Sequence, residues 1–87
     1  GFNAEMKVSP NPISNLAIVS YDAPYRNVVT VGIYNLNGAL VQEVYSQQLS
    51  AGPHKAAFNV REMANGVYFV RVSSEDFVSQ QTIVVAH

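Results

Sequence analysis

The 87-residue sequence contains no cysteine and no tryptophan, and only 13% of its residues are charged. Without cysteine, neither a disulfide nor a thiolate metal site can stabilise the fold. The two histidines and six carboxylates are dispersed along the chain, without the spacing of metal ligands. We therefore expect no metal and no cofactor.

Clusters of basic residues are also missing, because the five lysines and arginines are scattered and the net charge is −1. Nucleic-acid-binding domains concentrate Lys and Arg on one face, so we expect no nucleic acid as a partner. No apolar run approaches the ~18 residues that a membrane-spanning helix needs. With 48% hydrophobic residues, the chain is expected to form one domain over 1–87. Residues 1–7 are expected to be a linker that leads into the first strand.

No arrangement of residues typical of an enzyme is present. No serine lies in a Gly-x-Ser-x-Gly turn and no glycine-rich phosphate loop occurs. His54 falls in a predicted turn, without a neighbour that would make it a catalytic base. The sequence therefore predicts no catalytic residue.

Short segments rich in Val, Ile, Tyr and Phe make up most of the chain. Their apolar and polar residues alternate, which predicts seven strands, at 6–9, 16–23, 28–35, 39–45, 55–60, 66–73 and 77–86. Only residues 60–65 have a helical pattern, of one turn at most. Strands spaced by about 8–12 residues are typical of sandwiches. The expected fold is an all-β, seven-stranded antiparallel immunoglobulin-like β-sandwich.

The same alternation predicts which side chains form the core: Val29, Val31, Ile33, Tyr68, Val70 and Val72. Val67 and Phe69 lie on the opposite face of their strand, and we expect that face to be covered as well. Gly38 and Gly66 each follow an asparagine at a turn. Since Asn-Gly turns tolerate positive φ angles, we expect a positive φ at both glycines.

The segment VSPNP (8–12) is the stiffest part of the chain. Proline lacks the backbone N–H donor and fixes φ, and the residue before a proline is extended. Pro10, Asn11 and Pro12 are therefore expected to end the first strand and redirect the chain. This would allow the first strand to pair in one sheet and the second strand in the other.

Several stretches, in this order and spacing, resemble a known family. They are VSPNP (8–12), VGIYNLNGALV (31–41), LSAGPHKAAFNV (49–60), MANGVYFVRV (63–72) and TIVV (82–85). Together they resemble the type A C-terminal sorting domain of proteins exported by the type IX secretion system of Bacteroidetes. The resemblance covers roughly residues 6–86. Thr82 stands where the family commonly has lysine, and Met63 where it prefers leucine.

The resemblance implies a C-terminal secretion signal that directs an N-terminal cargo through the periplasm and the outer-membrane translocon to the cell surface. Its implied partners are the type IX translocon or shuttle and a sortase, which cuts near residues 1–7. The chain is then a fragment of a longer precursor, in which His87 is native or begins a tag. The positions that the resemblance singles out for recognition are Pro10, Asn11, Pro12, Gly38, Gly66, Tyr68, Thr82, Ile83, Val84 and Val85.

The final segment, TIVVAH (82–87), is apolar and prone to form a strand. Left unpaired, it would favour aggregation. We therefore expect Ile83 and Val85 in the core and the backbone of 82–86 paired with a neighbouring strand. An edge of this strand left open would accept a strand from a receptor, or from a second copy in a homodimer.

Two other functions stay open. A carbohydrate- or protein-binding accessory module, similar to a fibronectin type III domain, would expose a cluster of aromatic rings. Tyr25 and Tyr45 are the tyrosines expected to be free, while Tyr21 and Tyr68 are expected to face the core. A structural immunoglobulin-like spacer would be followed by further domains.

Overall fold

The computed structural model describes residues 6–87, which form seven β-strands. They are β1 (Met6–Ser9), β2 (Leu16–Ala23), β3 (Asn27–Tyr34), β4 (Leu40–Leu49), β5 (Gly52–Asn59), β6 (Gly66–Ser73) and β7 (Val78–Val85). Residues 60–65 form a turn, in which the Met63 N–H donates to the Val60 carbonyl at 3.0 Å. The described residues contain no helix, and so none that is long and apolar enough to cross a membrane.

The strands form two antiparallel sheets, and the predicted seven-stranded sandwich is confirmed. One sheet has the order β1-β2-β5 and the other β4-β3-β6-β7. In constant-type immunoglobulin domains the fourth strand belongs to the sheet of the first two, whereas here β4 pairs with β3.

The expectation that the prolines separate the first two strands into different sheets is wrong. β1 pairs with β2 over four residues, from Met6 opposite Tyr21 to Ser9 opposite Ile18. Pro10 and Pro12 lie in the connection between these strands, each after a cis peptide bond. Because they lie outside the paired residues, their missing N–H groups remove no hydrogen bond from the sheet.

The core consists of the side chains that the two sheets turn toward each other. The most deeply buried are Ile13, Ile33, Ile83, Val19, Val29, Val31, Val60, Val70, Val72 and Val85. The predicted burial of the β3 residues and of Val70 and Val72 is confirmed, while Tyr68 is half-buried. Ile13 was not predicted as a core residue, because it lies in a connection rather than in an alternating strand.

The outer face of the four-stranded sheet is exposed, which corrects the expectation for Val67 and Phe69. Val67 is 40% exposed and Phe69 is half-buried. The reason is that the three-stranded sheet covers only the inner face. We call the exposed or half-buried apolar residues at one end of the outer face the outer apolar band, which consists of Tyr34, Leu40, Val67, Phe69 and Val84.

The predicted positive φ angles are confirmed at Gly38 (83°) and Gly66 (154°). At Gly38 the turn is organised by Asn35, whose side-chain oxygen accepts hydrogen bonds from the N–H groups of Asn37 (2.9 Å) and Ala39 (3.0 Å). An L residue at either φ would be strained.

Candidate recognition site

Asn11 lies beside the last strand and binds its backbone. The Asn11 Nδ2 group donates to the Thr82 carbonyl at 3.3 Å, and the Val84 N–H donates to Asn11 Oδ1 at 3.0 Å. A side-chain amide offers a donor and an acceptor, as a peptide group does. Asn11 therefore takes the place that a neighbouring strand would occupy.

Ile13 continues this contact with its own backbone. Its N–H donates to the Val84 carbonyl at 2.8 Å, and its carbonyl accepts from the Ala86 N–H at 2.9 Å. The Ile13 side chain is fully buried in the core. We call residues 10–13 the clasp, because they bind the free edge of β7 from Thr82 onward and the residue that follows the strand, Ala86.

The clasp changes the interpretation of the final segment. As predicted, Ile83 and Val85 are buried and the strand pairs with a neighbour, β6, in an uninterrupted register of eight residue pairs. The expectation of an open edge is wrong for 82–86, because Asn11 and Ile13 cover that side. The local sequence of 8–12 does not indicate this contact, because the partners of Asn11 lie more than 70 residues away in the chain.

A second contact holds the chain beyond β7. The His87 N–H donates to Asn65 Oδ1 at 2.9 Å, and Asn65 Nδ2 donates to the His87 carbonyl at 3.5 Å. The His87 Nε2 atom lies 2.6 Å from the Met63 carbonyl oxygen, which can only accept, so Nε2 carries the proton. Residues 63–65, predicted only as a turn, thus bind the residue that follows the last strand.

Tyr68 ties the start of β6 to the same turn. Its hydroxyl donates to the Ala64 carbonyl at 2.6 Å, the geometry of a tyrosine corner, in which a tyrosine of the sixth strand binds the backbone a few residues upstream. Tyr68 also lies opposite Ile83 of β7. Its position explains why the side chain is only half-buried, since the hydroxyl lies at the end of the sandwich.

Replacing Tyr68 with phenylalanine is expected to lower the free energy of unfolding by about 0.5–1.5 kcal/mol, because one hydrogen bond is lost and the Ala64 carbonyl loses its partner. Urea denaturation of both proteins measures the difference. Tyr34→Phe is the matched control, because the Tyr34 hydroxyl makes no hydrogen bond within residues 6–87. Equal losses in the two variants would contradict the assigned role of the Tyr68 hydroxyl.

The structure brings together all of the residues singled out from the sequence except Gly38. The clasp residues meet Thr82 and Val84, while Gly66 lies opposite Val85. Gly38 lies in the β3–β4 turn, and β6 separates β3 from β7. Sequence reasoning missed Ile13, Asn65 and His87, although an apolar residue directly after Pro-Asn-Pro was a signal for the first.

Tyr21 and Tyr45 do not form an exposed aromatic platform. Tyr21 is buried, its hydroxyl is hydrogen-bonded to the Tyr45 hydroxyl, and its ring lies 5.8 Å from that of His54. Burial, and then the bond to Tyr45, raises the pKa of Tyr21. The expectation that Tyr45 is free is therefore wrong, since it is half-buried against Tyr21. Among the tyrosines of the described residues Tyr25 is the most exposed, at 45%, while the half-buried Tyr34 and Phe69 lie opposite each other on the outer face.

A cleft of about 690 Å³ lies beside Tyr21, at the start of β1. Its lining mixes both signs of charge, with Lys7, Asp22 and Lys55 beside His54. No buried side-chain polar atom of the described residues lacks a partner. Residues 6–87 also contain no group of three or more potential metal ligands.

The fold and the site define an immunoglobulin-like module in which side-chain and backbone hydrogen bonds from two distant segments hold the last strand and the residues after it. A family model described as the secretion system C-terminal sorting domain matches residues 7–86. The chain belongs to this family, that of the type IX secretion C-terminal sorting domains. A search of curated proteins finds no match.

Proposed function

We propose that this domain is recognised in its folded state as the signal that sends an attached cargo across the outer membrane. Family membership supports a C-terminal sorting signal of the type IX system. The observation that carries the proposal is the convergence of two distant motifs on the last strand and the residues that follow it. Asn11 of the proline segment and Asn65 of the MANG segment both bind the backbone of residues 82–87. Because these contacts require the fold, a receptor that reads this surface reads folded domains.

The route that we propose follows from this role. The cargo lies N-terminal to the domain, passes through the periplasm and reaches the cell surface or the medium through the translocon and its shuttle. A sortase then cuts ahead of β1. Met6 and Lys7 belong to β1 and are paired with β2, so the cut is placed before them. Of the predicted linker, residues 1–7, the first five lie outside the described residues.

The domain acts in this proposal as a binding surface and not as an enzyme. Its partners are the cargo, the translocon or shuttle, and the sortase. The clasp, Tyr68 and residues 82–85 are proposed to shape the recognised end of the sandwich, with Gly66 giving the backbone bend at the start of β6. Gly38 is proposed to act only through the β3–β4 turn.

The test is to fuse residues 1–87 to a reporter enzyme with an N-terminal export signal, in a bacterium that has a type IX system. We expect the reporter at the cell surface or in the medium, and mass spectrometry should find it without residues 6–87. The controls are the reporter without the domain and the same fusion in a translocon-deficient strain. Periplasmic retention of the intact, folded fusion would refute the proposed function, and a delivered reporter that keeps the domain would refute the sortase step.

A further inference from the structure

The four edge strands of the sandwich differ in how they are protected from pairing with other chains. Edges are normally protected by charge, proline or bulges. β1 carries Lys7 and leads into Pro10, and β5 carries Pro53 and Lys55. β4 carries Glu43 and has two shifts of register against β3. β7 has no charge, no proline and no shift of register, so its protection comes from the elements beside it, the clasp and β1.

The clasp makes no hydrogen bond to the first half of β7, although β1, which precedes the clasp, lies close to β7. The N–H and carbonyl of Val84 point away from β6, toward the clasp. Because this direction alternates along an antiparallel strand, the backbone groups of Val78 and Gln80 point the same way. Within residues 6–87 these groups have no hydrogen-bond partner, and β1, at the neighbouring edge, pairs with β2. We call residues 78–81 the open edge.

The outer face beside the open edge has a distinct chemistry. Arg71 of β6 donates to the Gln80 Oε1 atom at 3.1 and 3.2 Å and lies 4.3 Å above the ring of Tyr34. It is the single ionisable side chain that β6 and β7 present on this face. The outer apolar band begins in the next row of residues, where Tyr34 lies opposite Phe69. A partner that approaches β7 therefore meets one cation and then an apolar surface.

We infer that the open edge binds an extended segment of the export receptor, which adds a fifth strand to the four-stranded sheet. This inference rests on the proposed function and names the surface that the receptor reads. Backbone donors and acceptors in strand geometry are matched by another extended backbone. The receptor segment carries a carboxylate or amide side chain beside Gln80 and Arg71, and its flanking residues cover the outer apolar band.

A second copy of this chain fits the open edge less well. In such a dimer the β7 strands of the two copies would pair antiparallel, with Gln80 opposite Gln80. The two-fold axis is then perpendicular to the sheet, so the outer faces of both copies lie on the same side of the combined sheet. Both outer apolar bands would then stay exposed. The contact would extend over about four residues, roughly 14 Å of strand, whereas stable dimers bury about 1,200–2,000 Å². A receptor segment that also covers the outer apolar band would occupy both the open edge and the band.

The inference is tested with Gln80→Pro and Gln80→Lys in the reporter fusion. Proline removes the outward N–H without breaking a backbone hydrogen bond to β6, and lysine places a second cation beside Arg71. Both substitutions also remove the side-chain bonds from Arg71 to Gln80. We expect both variants to melt within a few degrees of the parent and to reduce delivery of the reporter at least tenfold. Gln48→Lys is the matched control, because Gln48 is exposed on the same face at the opposite edge, beside Val28, and we expect it to deliver like the parent.

The outcomes separate this inference from the proposed function. If the parent fusion is not delivered, the proposed function fails. If the parent is delivered and Gln80→Lys is delivered equally well with its fold intact, the open edge is not the receptor site. If Gln80→Pro does not fold, the delivery of Gln80→Lys alone decides whether the open edge is the receptor site. Analytical ultracentrifugation tests for a dimer. If the parent is a dimer and Gln80→Lys is a monomer that is still delivered normally, the open edge binds a second copy and the inference is overturned.

Discussion

Deletion of residues 82–87 is expected to unfold the isolated domain. The deletion removes the fully buried Ile83 and Val85 side chains and half of the pairing between β6 and β7. Loss of a buried isoleucine side chain alone costs about 2–5 kcal/mol. A domain of this size has a total stability of only about 4–13 kcal/mol. The lost core, together with the lost bonds to Asn11, Ile13 and Asn65, therefore leaves no stable fold.

Circular dichroism during heating measures this effect, since the shortened chain should show no cooperative transition. Deletion of His87 alone is the control, because it removes only the contacts with Met63 and Asn65. A cooperative transition in the chain that ends at Gln81 would contradict the structural role of the last strand. Since this deletion also removes delivery through unfolding, recognition has to be tested with the point variants at Gln80.

Asn11→Ala is expected to release the clasp from β7 while the sandwich stays folded. The substitution removes both side-chain hydrogen bonds, to the Thr82 carbonyl and from the Val84 N–H. At about 0.5–1.5 kcal/mol for each bond, the free energy of unfolding should fall by about 1–3 kcal/mol. Because the Val84 N–H then faces solvent, its hydrogen exchange should accelerate more than that of Ile83, which is bonded within the sheet.

Chemical denaturation and amide exchange measured by NMR test this prediction together. Asn37→Ala is the matched control, because the Asn37 side chain is exposed and makes no hydrogen bond within the described residues. We expect the control to leave both the stability and the exchange of Val84 unchanged. Unchanged protection of Val84 in Asn11→Ala would mean that Ile13 alone holds the clasp in place.

The sequence by itself determined the strands and most of the core. Alternation with a period of two is a local property, and it correctly assigned Val29, Val31 and Ile33 to one face of β3. The Asn-Gly pairs correctly predicted positive φ at Gly38 and Gly66, since that angle depends on steric contacts within one residue. The ordered motifs were also sufficient to indicate the family, which the match over residues 7–86 shows.

Only the tertiary structure decided which faces are covered and which edges are closed. Alternation gives each strand two faces but does not say which one meets another sheet, so the exposure of Val67 was missed. The bonds of Asn11 join residues more than 70 positions apart in the chain. A side-chain amide acquires such partners only after both sheets have packed, because nothing in its local sequence selects them. For the same reason, the open edge at Val78 and Gln80 exists only in the folded domain, where the bonds of the clasp to β7 begin at Thr82.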